Sequence, residues 1–269
     1  MPLQNKVLWI TGASSGIGEA LAYASAKMGA RLILSARRAD ELERVRLACA
    51  NTDRHLALPL DLTRSATFPA LVATVLQTCG HVDALINNGG ISQRGLASET
   101  TTAVEREIFE TDYFGPVALT KALLPSMRAR QSGRVVVVSS VMGYVGTPMR
   151  SSYSAAKHAL HGYFDSLRAE VWREGIRVTL VCPGYVDTAI SKHALAADGS
   201  RPGSPRPRRR RGMPADRCAD AILHAIIRDR EEIALGGREV WGIWLQRFFP
   251  RLLARLIRRM DFGQPATLR

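Results

Sequence analysis

The chain has 269 residues, 46% hydrophobic and 23% charged, which fits one globular domain large enough to bury most of its apolar surface. The four cysteines, Cys49, Cys79, Cys182 and Cys218, form no C-x-x-C or Cys/His cluster, which argues against a disulfide framework or a zinc site. Met1 to Asn5 lack a signal-peptide pattern and no uncharged apolar run reaches the roughly 18 to 20 residues that cross a bilayer, so a cytoplasmic protein is expected.

Apolar runs rich in β-formers alternate with helical stretches: Val7 to Ile10, Arg31 to Ser35, Leu56 to Leu60, Ala84 to Asn87, Arg134 to Ser139, Arg177 to Cys182 and Ile233 to Leu235. Strands that are apolar on both faces and separated by helices predict a doubly wound, Rossmann-like α/β fold, a seven-stranded parallel sheet with helices on both faces. Ligands in such sheets bind beyond the carboxyl ends of the strands, where Thr11, Asp61, Asn87, Ser139-Ser140 and Pro183-Gly184 fall.

After the first strand the chain reads TGASSGIG, Thr11 to Gly18, and then a helix-forming stretch from Glu19 to Met28. The N–H groups of Gly12, Ser14, Ser15, Gly16, Ile17 and Gly18 stand at a glycine turn and a helix N-terminus, a setting that suits a pyrophosphate. The T-G-x-x-x-G-x-G spacing is not the common G-x-G-x-x-G fingerprint, and a turn that binds nothing is the competing reading. The second strand ends in Ser35-Ala36-Arg37-Arg38, where an NAD enzyme usually carries an acid for the ribose 2′-hydroxyl. Guanidinium groups suit a 2′-phosphate, so Arg37, with Arg38 second, points to NADP(H); two solvated arginines opening a helix through Leu42 and Val45 are the alternative.

Tyr153 and Lys157 are one helical turn apart, so a helix stacks them on one face with the ammonium close to the phenol, favouring its ionised form. Ser140, thirteen positions upstream, adds a hydroxyl for a carbonyl oxygen. The set suits reduction of a ketone, with Tyr153 as proton donor.

TGASSGIG, Asn87-Asn88-Gly89-Gly90, Ser140, Tyr153-x-x-x-Lys157 and Pro183-Gly184 together resemble the short-chain dehydrogenase/reductase family, in its order and spacing, over about residues 5 to 190. The resemblance implies that Asp61 contacts the adenine amino group, Leu62 supplies a backbone contact, and Asn88 and Gly89 line the ribose side. It also implies that Thr188 reaches the carboxamide, that Pro183 and Val186 contact the cofactor, and that Lys157 binds the nicotinamide ribose; Asp61 as a plain N-cap for a helix after Thr63 is the alternative. Asp112, in Thr111-Asp112-Tyr113-Phe114-Gly115, departs from the family, occupying the place of an asparagine thought to hold a proton-relay water. Its added negative charge near Lys157 would favour the protonated lysine and shift the pH profile. The family is usually dimeric or tetrameric, so a homodimer or homotetramer is expected. A non-catalytic NADP(H)-binding scaffold or redox sensor, suggested only by Asp112, is the alternative function.

The expected organisation is one NADP-binding catalytic domain over 1–237, with a substrate loop at about 187–215, and a basic amphipathic extension over 238–269. Residues 201–212 contribute six positive charges and 238–269 a net five, eleven of the formal +13, so the nucleotide-binding body is nearly neutral. The 201–212 run is Pro/Gly-rich and open to three readings: a mobile solvated insertion, a site for anionic substrates or acidic lipid heads, and a nucleic-acid contact. The last is disfavoured because no aromatics are interleaved. Trp241, Trp244, Leu245, Phe248, Phe249, Leu252, Leu253, Leu256, Ile257 and Met260 recur at helical spacing, with Arg247, Arg251, Arg255, Arg258 and Arg259 along the other side. This fits a helix on an anionic membrane, Pro250 kinking it or starting a second one, or equally a helix packed on its own domain or a second subunit. In either case it walls the substrate pocket and favours a hydrophobic, lipid- or steroid-like substrate.

Overall fold

A computed structural model describes residues 2–201 and 212–262. The arginine run within 202–211, and residues 263–269 of the expected extension, lie outside the described residues.

Seven strands, β1 (Val7–Thr11), β2 (Arg31–Ser35), β3 (Leu56–Ala57), β4 (Ala84–Asn87), β5 (Gly133–Val138), β6 (Ile176–Pro183) and β7 (Glu232–Leu235), form one sheet in the order β3-β2-β1-β4-β5-β6-β7. All six pairings are parallel. The third strand is shorter than its apolar run; Pro59 lies in that run at the edge of the sheet, facing away from β2, a position where its missing N–H costs the ladder nothing. Leu58 and Leu60 on either side of it still donate to the carbonyls of Leu34 and Ala36, at 2.8 and 3.0 Å.

Successive strand side chains point to opposite faces, so each strand feeds two cores. Leu8 and Ile10 pack with Leu21 and Ala22 of α1 (Gly16–Lys27), Leu42 and Val45 of α2 (Ala39–Ala48), and Ile222 and Ile226 of α7 (Ala215–Ile227). Val7 and Trp9 pack on the other face with Phe68 and Val72 of α3 (Phe68–Cys79), Leu119 and Leu123 of α5 (Gly115–Ala129), and Leu160 and Phe164 of α6 (Ser151–Val171). The buried Trp9 indole keeps a partner, donating to Ser35 Oγ at 2.9 Å.

Helix α4 (Thr102–Phe109) runs into α5 through one wide π-turn, Glu110–Phe114. Pro116 follows two residues later; it has no N–H for the carbonyl of Asp112 and its ring would crowd it, so the helix widens there. The turn carries Asp112 into the interior, where it is fully buried. The C-terminal segment is two short helices, α8 (Trp241–Phe248) and α9 (Pro250–Arg259). Phe249 leaves the helical region at φ −135°, ψ 55° and Pro250 opens α9 in the first turn, the position where its missing N–H costs nothing.

Candidate active site

A cavity of about 730 Å³ opens at the carboxyl ends of the central strands. Its walls include Gly12, Ser14, Ser15, Gly16, Ile17, Arg37, Arg38, Asp61, Leu62, Asn88, Gly89, Ser140, Tyr153, Lys157, Pro183, Val186 and Thr188. Of the residues singled out in the sequence as site residues, only Gly18 and Asp112 do not line it, and each stands directly behind a residue that does.

One end is a cradle for an extended anionic group. Ser15 precedes α1 in an extended conformation with no side-chain cap on the helix, leaving its first N–H groups to face the cavity. Gly12 has φ +65°, and a Cβ there would come within 2.7 Å of Gly89 Cα. A Cβ on Gly18 would overlap the Gly12 carbonyl oxygen. Neighbouring β1 and β4 are pinned at this point: Thr11 Oγ1 accepts from the N–H groups of Asn88 and Gly89 at 3.0 and 2.9 Å, while Asn88 Nδ2 donates to the carbonyl oxygens of Thr11 and Gly12. A cavity with bare backbone donors and no room for side chains fits a dinucleotide pyrophosphate.

Farther along the same wall, Arg37 and Arg38 are exposed, with Arg38 at the start of α2 and its Nη2 3.4 Å from Ser14 Oγ. Asp61 caps no helix: its Oδ1 accepts from the Thr63 N–H and hydroxyl, a local turn that ends before α3 begins at Phe68. Burial opposes its charge, but the Thr63 hydrogen bonds and the charges of Arg37 and Arg64 hold its carboxyl below the usual range.

The other end holds the reactive groups. Tyr153 and Lys157 lie on the first turns of α6, both buried, with Nζ of Lys157 5.5 Å from the centre of the Tyr153 ring. Ser140, in extended conformation at the end of β5, donates to the Pro183 carbonyl at 3.3 Å and accepts from the Met142 N–H at 3.1 Å. The Lys157 ammonium donates to the Val138 carbonyl at 3.3 Å and meets Asp112 Oδ2 at 3.2 Å, an ion-pair contact. Asp112 Oδ1 accepts from the Ile91 N–H at 2.7 Å. The carboxylate therefore reaches the lysine directly. Burial alone would lower the Lys157 pKa; Asp112 first, and Tyr153 after it, reverse that, and the ammonium holds its proton more tightly than a free lysine. Burial raises the Asp112 carboxyl, with Lys157 and the Ile91 N–H opposing.

Two features of this site were not read from the sequence. His161, on α6 one turn beyond Lys157, lies 2.9 Å from Ser139 Oγ and stacks edge-on against Tyr144, whose hydroxyl donates to Glu232 at 2.7 Å. Burial pushes the His161 pKa down to about 4, so it is neutral and braces the strand end that carries Ser140. Its spacing was a signal, since His161 follows Lys157 on α6 as Lys157 follows Tyr153. Arg150, at the start of α6, projects into the cavity and donates to the Ser92 hydroxyl. The C-terminal stripe does wall the cavity: the α8–α9 hairpin closes it with Leu245, Leu253, Leu256, Ile257 and Met260.

The family model for the short chain dehydrogenase matches residues 6–198. The chain is similar to a dehydrogenase/reductase SDR family protein 7-like of Anopheles gambiae, 47% identical over 239 residues, covering 87% of this chain and 75% of that one. A short-chain dehydrogenase from Streptomyces avermitilis superposes with TM-score 0.82 at 35% identity, over 96% of this chain and 100% of its own. An alcohol dehydrogenase from Thermococcus sibiricus, solved with 5-hydroxy-NADP, gives TM-score 0.73 at 27% identity over 88% of this chain and 98% of its own. A Burkholderia phymatum short-chain dehydrogenase/reductase, solved with NAD, shares the fold at TM-score 0.82 and 24% identity over 98% of this chain and 99% of its own. The chain belongs to the short-chain dehydrogenase family, whose fold binds nicotinamide cofactors for oxidoreduction.

Proposed function

We propose that the chain is an NADPH-dependent oxidoreductase acting on a carbonyl or secondary alcohol whose body is hydrophobic. The observation that carries this reading is one cavity with Ser140, Tyr153 and Lys157 at one end and a glycine cradle flanked by Arg37 and Arg38 at the other. NADPH bound there supplies the hydride. Arg37 holds the 2′-phosphate, assisted by Arg38, and the N–H groups from Gly12 to Gly18 hold the pyrophosphate. Asp61 and Leu62 meet the adenine, Asn88 and Gly89 the ribose side, and Pro183, Val186 and Thr188 the carboxamide.

Ser140 hydrogen-bonds the substrate oxygen, turning from its present acceptor, the Pro183 carbonyl. Tyr153 protonates that oxygen as charge grows on it. Lys157 faces the negative charge left on the phenol and binds the ribose hydroxyls; Asp112 holds the ammonium in place. A non-catalytic scaffold finds no support in Asp112, since its pairing with Lys157 keeps the activating charge. The apolar residues from α8 and α9 that wall the cavity favour a lipophilic substrate.

No helix among the described residues is long and apolar enough to cross a membrane. The exposed Trp241, Trp244, Phe248 and Phe249 beside Arg247 and Arg251 support a peripheral, anionic-membrane contact of a cytoplasmic homo-oligomer. The test is NADPH and NADH binding to wild type and Arg37→Ala, then turnover on lipophilic ketones and aldehydes with Tyr153→Phe as control. NADPH binding weakened by Arg37→Ala, and turnover lost in Tyr153→Phe, are the expected results. Equal affinity for NADH and NADPH would remove the cofactor assignment.

A further inference from the structure

The cavity holds two buried or half-buried cations within one helical turn of Tyr153, and among the described residues only one of them has a counter-ion. Lys157 is paired with Asp112 at 3.2 Å. Arg150 is half-buried and donates to the neutral Ser92 hydroxyl, and no carboxylate lies within ion-pair distance of it among the described residues. Burial depresses its proton affinity; Tyr153 raises it, and the like charge of Arg94 opposes the guanidinium further.

Elsewhere charges withdrawn from water are compensated. Asp83 meets Lys6, His81 and Arg130, and Arg134 meets Asp229. An uncompensated cation taken out of water is costly, and a guanidinium presents a planar fork that matches a carboxylate. The carboxylates that line the cavity are engaged elsewhere. Asp61 stands at the Arg37 end, held by Thr63, and Glu239 Oε1 accepts from the N–H groups of Tyr185 and Gly237. Of the other cations on the wall, Arg201 is paired with Glu107 at 3.3 Å. The remaining lining on this side is largely apolar, with Met142, Val145, Ile190, Leu245 and Ile257 among it.

Resting on the reductase reading above, we propose that Arg150 is a specificity-determining residue that binds a substrate carboxylate, so that the preferred substrate is an oxo acid with a hydrocarbon body. Because Arg150 stands three residues before Tyr153, the carboxylate lies within a few bonds of the carbonyl, as in 2-oxo and 3-oxo acids. Ser92 steers the guanidinium by taking one of its N–H groups, and the other N–H groups meet the acid.

The test uses the full chain with NADPH and matched pairs: medium-chain 2-oxo and 3-oxo acids against their methyl esters, with wild type, Arg150→Met and Arg150→Lys. An Arg–carboxylate hydrogen-bonded pair contributes about 1.5 to 3 kcal/mol, so wild type is expected to favour acid over ester by roughly 10- to 100-fold in kcat/KM. Arg150→Met brings the ratio to about one, chiefly through KM for the acid, and Arg150→Lys restores part of it. A wild-type ratio near one overturns the proposal, as does an Arg150→Met loss that falls equally on acid and ester, which marks a purely structural role through Ser92. If no compound oxidises NADPH, the reductase reading fails separately. Calorimetric titration of the NADP+-loaded protein with the acids then decides the subsite: saturable binding that weakens in Arg150→Met upholds it, and no binding, or equal binding by the variant, overturns it.

Discussion

Replacing Asp112 by asparagine probes the buried pair directly, because the site needs two acceptors at that position and an amide has one. Oδ1 accepts from the Ile91 N–H at 2.7 Å while Oδ2 faces the Lys157 ammonium at 3.2 Å. Whichever way the substituted amide turns, its NH2 confronts one of those donors, and the ammonium loses its counter-charge in a fully buried setting. Leaving one such donor unsatisfied costs about 1 to 3 kcal/mol, which on the lysine corresponds to roughly one to two pH units of proton affinity. The sign follows from Lys157 being raised in the folded state. Its contribution to stability is fully present below the ordinary lysine value of 10.5 and is lost only as pH rises through the raised value. Asp112→Asn is therefore less stable at neutral pH, and the alkaline limb of its kcat/KM profile moves down by roughly one to two units. The assays are NADPH oxidation from about pH 6 to 11 and urea unfolding at about pH 7, a span that brackets the lysine titration. An alkaline limb that stays in place or moves up would falsify the role of Asp112 as the lysine's counter-ion, even if stability falls.

Arg37→Ala should weaken NADPH binding about 10- to 100-fold while leaving NADH nearly unchanged, as read by quenching of cofactor fluorescence, since a charge-assisted phosphate contact contributes about 1.5 to 3 kcal/mol. Gly18→Val should abolish cofactor binding, measured by calorimetry, because even a Cβ there overlaps the Gly12 carbonyl oxygen and moves the turn; an unaltered Kd would refute the close-packed cradle. His161 is held neutral with a pKa of about 4 against an ordinary 6.5, so the unfolded chain takes up a proton first and stability falls from about pH 6.5 to 4, by about 3 kcal/mol at most. His161→Gln should flatten that part of the unfolding curve, and an unchanged slope would assign it to other groups. Trp fluorescence should shift to the blue on mixing with vesicles rich in phosphatidylserine and not with neutral ones, the shift disappearing at about 1 M salt; no response to either vesicle counts against the membrane contact.

The sheet was legible because parallel strands buried on both faces are written as nearly continuous apolar runs, each about a strand long and separated by a helix. Pro59 in the third run marks an edge strand, and β3 does stand at the edge of the sheet. The π-turn before α5 had a comparable mark in Gly115-Pro116, directly after the residues that widen, but its meaning depends on what lies opposite. The family resemblance placed the Asp112 charge near Lys157, but their direct contact across 45 positions follows from how α4, α5 and α6 pack, and neither periodicity nor spacing encodes a contact between helices. The C-terminal stripe shows the same limit. Its period was readable, and so was a second helix starting at Pro250, but not which residues turn inward: the cavity takes Leu245, Leu253 and Ile257 while Trp244, Phe248 and Leu252 stay exposed.

These placements bear on how the site manages its charges. Arg150 stands at the N-terminus of α6 three residues before Tyr153, and Lys157 follows Tyr153 by four, so two cations flank the tyrosine along the helix. Were both without counter-ions, the cavity would attract any anion, including a second phosphate group. Asp112 removes the lysine from that competition by pairing with it from behind the wall, and the lysine keeps the orientation its neighbours require. The guanidinium then remains to recognise charge on a substrate. An asparagine at 112 would leave the ammonium without its carboxylate partner, so exchanging Asp112 should also change the discrimination between acid and ester that Arg150 provides. A double variant, Asp112→Asn with Arg150→Met, measures this as a coupling energy: a non-zero value in the acid-to-ester ratio is expected, and strict additivity would show that the two cations act on the substrate independently.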